Sequence, residues 1–305
     1  MFVPGTIPSP LERFYAHFPL LVVPSPHATT APPERPTVWA YGPPPKGHAE
    51  SLDPLCRAAQ AFARFSLAAP ADVRWLDWDG KAGAPGGALP ALHTPEGDLL
   101  VGEEVSGWIA AQVAPKGRKD GAFSFRGTGS VRVGALTTTR VSRAGQVPPV
   151  DPAQQAYLSL VATTLLPAVL AALYLSPPSL VPPVVPRQSR PVLSEVAHTY
   201  LSWNDRAARI DEVKRFRGGK TGRDAVLDLD EVEREAEDAI KALEVKLAGT
   251  KEGWFGGAST PSRIDALAYA LLSIISILPP TCDKVLRPAL ERCPGLLAWI
   301  RAHDP

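Results

Sequence analysis

The sequence predicts an α+β protein in which a small mixed-sheet half is followed by an all-helical half. Within residues 37–112 the patterns run strand, helix, strand, then strand, strand, helix, whereas only helical patterns occur beyond Asp151. A Leu-Pro step at 89–90 immediately precedes the third predicted strand. At 305 residues, the chain is long enough to form two units of ordinary domain size.

The first three elements form a βαβ unit. The stretches "TVWAYG" (37–42) and "VRWLDWD" (73–79) predict two short strands. Between them, "SLDPLCRAAQAFARF" (51–65) predicts a helix over 53–66. Asp53 can accept hydrogen bonds from the first-turn N–H groups, and a proline is tolerated at the next position, where its missing N–H costs nothing.

The next elements form a hairpin and a helix. In "LPALHTPEGDLL" (89–100), residues 91–94 and 99–101 predict two strands joined across Pro95-Glu96-Gly97-Asp98, and a helix begins at Glu103. This order, with its Leu-Pro step, resembles a thioredoxin-like domain. The resemblance implies that the Leu89–Pro90 bond is cis, a form that X–Pro bonds tolerate.

These patterns divide the chain into four parts. We expect a proline-rich N-terminal arm at 1–36, a thioredoxin-like domain at 37–114, a basic loop or insertion at 115–150, and an all-helical domain at 151–305. In the third part, Asp120 is the single acidic residue against seven Lys and Arg residues. This part is either a solvated loop or, around "FSFRGTGSVRV" (123–133), a small hairpin.

The helix predicted at 152–175 is unusually apolar. No charge occurs between Asp151 and Arg187, and "LSLVATTLLPAVLAALYL" (158–175) reaches the length of about 18 residues that suggests a membrane span. Pro167, the polar side chains around it and the lack of basic flanks favour a buried helix instead.

Two further segments indicate the helical core. In "WFGGASTPSRIDALAYALLSIISIL" (254–278), Ser262 and Asp265 form an S-x-x-D capping box ahead of a helix that is apolar on nearly every side and must be central. The charged helix at 230–248 carries a single apolar stripe and should pack by one face only.

The start of the first helix resembles a redox site with one member missing. Thioredoxin-type sites place Cys-Pro-x-Cys here, but Asp53 stands at the attacking position and only Cys56 remains. A carboxylate cannot attack a disulfide, and its charge would raise the pKa of Cys56. We expect Cys56 to be a small core residue, the alternative being a reactive thiol.

Composition excludes several other classes of protein. A formal net charge of +1 argues against nucleic acid as a partner. The three cysteines and six histidines show no metal-ligand spacing, so we expect no metal, no cofactor and no disulfide. The first 36 residues do not have the pattern of a signal peptide.

Together, the motifs resemble a glutathione-transferase-like protein over 37–305, and more narrowly the metaxin family. Those proteins are GST-like subunits of the mitochondrial sorting and assembly machinery. The features are "TVWAYG", "SLDPLCRAAQAFARF", "VRWLDWD", "LPALHTPEGDLL" and "GWFGGASTPSRIDALAYALL", with "PLERFYAHFPL" (10–20) similar to the arm of fungal members. The chain stops at Pro305 without the membrane anchor typical of metaxin-1-like subunits, which indicates the smaller, peripheral, metaxin-2-like subunit.

The resemblance implies a function. We expect a non-catalytic subunit on the cytosolic face of the mitochondrial outer membrane, with no catalytic or cofactor-binding residues. It would bind the channel-forming β-barrel subunit and a second metaxin-like subunit, and help receive β-barrel precursors through their C-terminal strand signal. The arm supplies the candidate partner-binding residues, which are Leu11, Phe14, Tyr15, Phe18 and Leu20.

Two alternatives remain, a glutathione transferase-like enzyme of unusual type and a GST-like scaffold of a translation-factor complex. Transferases offer a Glu/Gln-Ser pair to the γ-glutamyl carboxylate of glutathione, whereas the matching stretch here is Gly102-Glu103-Glu104-Val105. A carboxylate there would repel that ligand by roughly 1 to 4 kcal/mol. Tyr41 and Ser51 are the candidate activators.

Overall fold

The computed structural model describes residues 32–42, 44, 48–76, 88–113, 152–175, 207, 209–217, 227–250, 253–257, 259–280 and 284–305. All of these belong to one compact unit, Ala31–Pro305. The five candidate partner-binding residues of the arm, the basic segment 115–150 and the proline-rich connector 176–191 lie outside the described residues.

A small mixed sheet forms the first half. Its strands are β1 (Thr37–Tyr41), β2 (Asp72–Leu76), β3 (Ala91–His93) and β4 (Leu99–Val101), in the order β2-β1-β3-β4. Strand β2 is parallel to β1, while β3 is antiparallel to both β1 and β4. Helix α1 (Pro54–Ser66) makes the crossover between β1 and β2. The predicted βαβ unit and hairpin are confirmed.

The turn geometry at the third strand also agrees with the sequence. The Leu89–Pro90 peptide bond is cis, as predicted. In the hairpin turn, Gly97 has a φ of 89°, a left-handed backbone conformation that residues other than glycine rarely adopt. The N–H of Thr94 closes this turn by donating to the carbonyl of Asp98 at 2.9 Å.

Helices make up the rest of the described chain. They are α2 (Glu103–Val113), α3 (Pro152–Leu160), α4 (Leu166–Tyr174), α5 (Leu229–Ala248), α6 (Arg263–Ile277), α7 (Leu286–Glu291) and α8 (Pro294–His303), and residues 209–216 are also helical. Helix α6 is the centre of this half, because every residue from Ile264 to Ile275 is buried. It packs against α1, so the sheet half and the helical half share one continuous core.

The polar start of α6 is satisfied by one buried carboxylate. Asp265 accepts hydrogen bonds from the N–H of Ser262 at 2.7 Å, the hydroxyl of Ser262 at 2.6 Å and the N–H of Phe255 at 2.6 Å. The capping box predicted from the sequence is therefore present. Burial raises the pKa of Asp265, and these hydrogen bonds oppose that rise because they favour the charged form.

The apolar helix predicted at 152–175 contains a π-helical turn, Val161–Leu165, between α3 and α4. A proline removes one backbone hydrogen bond and collides with the carbonyl four residues earlier, so the wider turn just before Pro167 accommodates it. The hydroxyls of Thr163 and Thr164 donate to carbonyls in the preceding turn, at 2.8 and 2.6 Å.

By length and composition, residues 154–174 also meet the criterion for a membrane span. Half of that window is buried inside the protein, and core helices of soluble proteins meet the same criterion. In this structure α4 packs against α5 and α6. The packing agrees with the interpretation of this segment as a buried helix.

Aromatic rings pack against one another at the junction between the halves. Phe65, near the end of α1, packs edge-on against Tyr269 of α6, with ring centroids 5.4 Å apart, and lies at the same distance from Trp254. Arg64 lies over the rings of Phe65 and Tyr269, and its guanidinium also donates to the carbonyl of His303. The last turn of α1 is thereby fixed to both α6 and α8.

We predict that Asp265→Ala destabilises the protein much more than Ser262→Ala. Losing the Ser262 hydroxyl should cost ~1 kcal/mol, the usual value for a lost N-cap. Losing Asp265 leaves two buried N–H groups without their acceptor and should cost at least about 2 kcal/mol. Equilibrium denaturation of both variants measures the difference, with Asp238→Ala on the exposed face of α5 as control. Equal losses for the two variants would contradict the role given to Asp265.

Candidate functional site

A cleft among the described residues lies between the two halves. It has a volume of about 500 Å³. Its walls are α1 (Leu55, Phe62), Pro90 at the cis bond, α2 (Val105, Ile109), α3 with the π-turn (Leu158, Ala162) and α6 (Ala266, Leu267). The walls are mostly apolar, and Glu103 and Arg263 supply charge. Such a cleft suits a small, largely apolar molecule.

The N-terminus of α1 is capped by Asp53. Its carboxylate accepts a hydrogen bond from the N–H of Cys56 at 2.8 Å, and Pro54 occupies the first helical position. The N-cap predicted from the sequence is therefore confirmed. In thioredoxin-type sites, the N–H groups at this helix end stabilise a thiolate, whereas here they already face a carboxylate of the chain itself.

Cys56 is a core residue. Its side chain is fully buried. Burial raises the pKa of the thiol well above its ordinary value, and the neighbouring Asp53 charge raises it further. Because the thiolate is the reactive form, a buried thiol with a raised pKa is inert at neutral pH. The interpretation of Cys56 as a packing residue is supported.

The two candidate activators, Ser51 and Tyr41, are joined by a hydrogen bond between the side chain of Ser51 and the main chain of Tyr41. The Ser51 hydroxyl donates to the carbonyl of Tyr41 at 2.6 Å and accepts from the N–H of Asp53 at 3.1 Å. Ser51 is completely buried, and burial also raises the pKa of the Tyr41 hydroxyl. Both residues therefore hold the connection from β1 to α1 in place.

At the start of α2, Glu103 is held by a charge from the helical half. Arg263, at the start of α6, forms an ion pair with Glu103. The preceding Gly102 has a φ of 59°, and its N–H donates to the carbonyl of Pro90 at 3.2 Å. Because Arg263 offsets the charge of Glu103, the repulsion of an anionic ligand expected from the sequence is reduced.

A second pocket was missed by the sequence reasoning. It lies between the end of α1 and strand β2, with a volume of about 340 Å³, and we call it the α1–β2 pocket. Its apolar walls come from β1, β2, α1 and the 67–71 turn, and its polar lining from Glu50, Gln60 and Arg64. Glu50 is buried and forms ion pairs with Arg57 at 3.1 Å and Arg64 at 3.0 Å. Arg57, Gln60 and Arg64 follow one another in α1 at intervals of three and four residues, which places them on one face of the helix. That helical spacing was the only feature of the sequence that could have indicated the pocket.

Within the described part of the chain, no group of three or more His, Cys, Asp and Glu side chains is arranged to hold a metal ion.

Comparison with known proteins gives one family match and distant structural relatives. Residues 236–302 match the family described as glutathione S-transferase, C-terminal domain. The chain is similar to the β-etherase LigF from Sphingobium sp. strain SYK-6, with 15% identity, 88% of this chain and 94% of that chain covered, and a TM-score of 0.43. It is also similar to glutathione transferase GSTFuA2 from Phanerochaete chrysosporium, with 13% identity, 90% and 99% covered, and a TM-score of 0.46. No curated protein matches the chain.

The fold is that of the glutathione transferases. This assignment follows from the strand order β2-β1-β3-β4, the cis proline before β3 and the helical half that contains the matched segment 236–302. The two solved structures are too distant to add to it. The fold class predicted from the sequence is confirmed, and the narrower metaxin resemblance stays a prediction.

The prediction that the chain is not an enzyme is wrong. The structures to which it is similar are described as a β-etherase and a glutathione transferase, both of which are enzymes. The prediction rested on the metaxin resemblance, on Glu103 and Glu104 in place of the pair that holds glutathione, and on Asp53. Of these, Asp53 argues only against thiol–disulfide exchange. At this distance the likeness assigns no particular activity to this chain.

We predict that Cys56 resists alkylation in the folded protein. Iodoacetamide at pH 8 should label it only after unfolding in concentrated guanidinium chloride, as followed by mass spectrometry of its peptide. The variant Asp53→Ala, which removes the smaller cause of the raised pKa but leaves burial intact, should stay nearly as unreactive. Rapid labelling of native Cys56 would restore the reactive-thiol hypothesis.

Proposed function

We propose that this chain is a subunit of the sorting and assembly machinery of the mitochondrial outer membrane, where it binds other proteins on the cytosolic face. The structural observation behind the proposal is the start of α1, where Asp53 caps the helix and Ser51 bonds to the carbonyl of Tyr41, an arrangement that argues against thiol–disulfide exchange at this position. The groups that would handle a thiol ligand at this end of the fold are thus bonded within the chain itself.

The motifs of the metaxin resemblance support the same proposal, because they lie at structurally central positions. "TVWAYG" contains the buried strand β1, "SLDPLCRAAQAFARF" contains nearly all of α1, and the Ser262–Asp265 box begins the central helix α6. The partners proposed are the channel-forming β-barrel subunit, a second metaxin-like subunit and the C-terminal strand signal of β-barrel precursors. Leu11, Phe14, Tyr15, Phe18 and Leu20 of the arm are the proposed contacts to a neighbouring subunit.

We predict that the full-length chain co-purifies with the channel-forming subunit and is released from mitochondrial membranes by alkaline carbonate, as a peripheral protein. A truncation of residues 1–31 tests the arm, and it ends there because the carbonyl of Pro36 accepts from the N–H of Asp72 in the sheet. The truncated protein should keep its melting temperature and lose the channel subunit.

As a matched control, the full-length variant Val245→Asp changes an exposed residue of α5 and should keep both properties. Full-length protein that is absent from mitochondria, or that never binds the channel subunit, would disprove the proposed function. A truncated protein that melts early would instead assign the arm to the core of this chain.

A second candidate function is that of a glutathione transferase-like enzyme, and the cleft of about 500 Å³ beside Pro90 favours it. Calorimetric titration with reduced glutathione, together with a conjugation assay using 1-chloro-2,4-dinitrobenzene, tests this candidate. If the cleft is the site, the variant Ser159→Trp, at an exposed residue that lines the cleft, should weaken binding and turnover, while Val245→Asp should leave both unchanged. Absence of both activities in the unmodified protein would remove this candidate.

A further inference from the structure

Strand β2 is an open edge of the sheet. The N–H of Asp72 donates to Pro36 and the carbonyl of Leu76 accepts from Gly42, both at 2.9 Å, so residues 72, 74 and 76 direct their backbone groups toward β1. Backbone directions alternate along a strand, and the N–H and C=O groups of Val73 and Trp75 therefore point away from the sheet. No described strand lies on that side, and Val73 is 38% exposed.

The α1–β2 pocket opens directly beside this edge. The side chain of Val73 lines it together with that of Val38, the residue paired with Val73 on β1. The pocket therefore lies on the face of the sheet that α1 covers. Residues opposite each other in a ladder carry their side chains on the same face. A strand added next to β2 would place the side chain opposite Val73 in this pocket.

Two donors in the pocket lack a hydrogen-bond partner. Gln60 is only 6% exposed, and its Oε1 accepts from the N–H of Ser51 at 2.9 Å, but its Nε2 has no partner. The buried Nε of Arg64 likewise has no hydrogen-bond partner. Buried donors are normally hydrogen-bonded, because leaving one without an acceptor is unfavourable. Both donors line the pocket, so an acceptor brought by a ligand would satisfy them.

We infer that β2 and the α1–β2 pocket form a docking site for an extended peptide strand, which adds to the sheet beside β2 and inserts a tyrosine side chain into the pocket. The backbone groups of Val73 and Trp75, which point away from β1, match a partner with strand geometry. Tyrosine combines a ring that fits apolar walls with an oxygen that can accept from Gln60 Nε2. The inference rests on the proposed function in one respect, the source of the peptide, which is the terminal strand of a β-barrel precursor.

The test uses purified full-length protein, tagged at its N-terminus because Pro305 lines the pocket. The probe is a fluorescein-labelled synthetic peptide with the C-terminal strand of a mitochondrial β-barrel protein and tyrosine at alternate positions. Two further peptides carry N-methyl groups on alternate residues, one on the even and one on the odd set. Only one of these two should lose binding, by at least tenfold, because a strand directs half of its N–H groups toward its neighbour.

Variants of the protein locate the site. Val73→Asp at the edge and Ala68→Trp at the pocket rim should each weaken peptide binding at least tenfold, and Val245→Asp, the same change at an exposed valine of α5, should not. Melting temperatures verify that the variants fold. Replacing the peptide tyrosines by phenylalanine should weaken binding to the unmodified protein. In the variant Gln60→Met, whose side chain offers the hydroxyl no hydrogen-bonding partner, tyrosine and phenylalanine peptides should bind equally.

The outcomes separate the two proposals. Two results would overturn the docking site and leave the proposed function standing. One is peptide binding that is unchanged by Val73→Asp, by Ala68→Trp and by the methylation pattern. The other is pairing of the β2 edges of two copies of this chain, observed by sedimentation. Equal binding of the precursor peptide and a scrambled alternating peptide at the edge would support the docking site while removing the precursor as its source. No binding of any peptide would overturn the docking site, and co-purification with the channel subunit would still decide the proposed function.

Discussion

The burial of α6 on all sides is the constraint on which the rest of this structure depends. A helix with no exposed face gives up contact with water along its whole length, so its polar ends must be satisfied by the protein. Asp265 satisfies the first turn and, through the N–H of Phe255, fixes the segment that leads into the helix. Helices α1, α3, α4, α7 and α8 pack directly against α6.

Helix α1 has two tasks as a result. One face covers the sheet, and the other packs on α6, where Phe65 meets Tyr269 and Trp254. A helix held on both sides cannot shift without disturbing both halves. The N-terminus of α1, the cleft beside Pro90 and the α1–β2 pocket therefore keep fixed positions relative to one another, which is what a ligand or peptide site requires.

Local signals allowed most of the fold to be predicted. The cap at Asp53, the cis bond at Leu89–Pro90 and the Ser262–Asp265 box each depend on residues close in sequence, and each is present. The π-turn before Pro167 was not predicted, because a proline inside a helix can be met by a kink, a break or a wider turn.

The missed features of the sites depend on contacts between distant segments. Arg263 meets Glu103 across 160 positions, and Glu50 precedes α1 but lies beneath it beside Arg57 and Arg64. Neither charge pattern stands out in the sequence, because a single arginine or glutamate is ordinarily a surface residue. The error about catalysis had a different cause, since it followed from a family resemblance and from a few substituted positions, and neither excludes the other reactions that the same fold can support.

The start of α1 also limits how this chain can change over evolutionary time. A mutation of Asp53 to cysteine would restore the Cys-Pro-x-Cys sequence, but it would remove the acceptor for the N–H of Cys56, at a cost of about 1 kcal/mol. The second thiol would still lie fully buried, with the Ser51 hydroxyl bonded to the carbonyl of Tyr41. The first step toward disulfide exchange would therefore lose stability before any activity appeared, so selection for folding alone is enough to keep the aspartate.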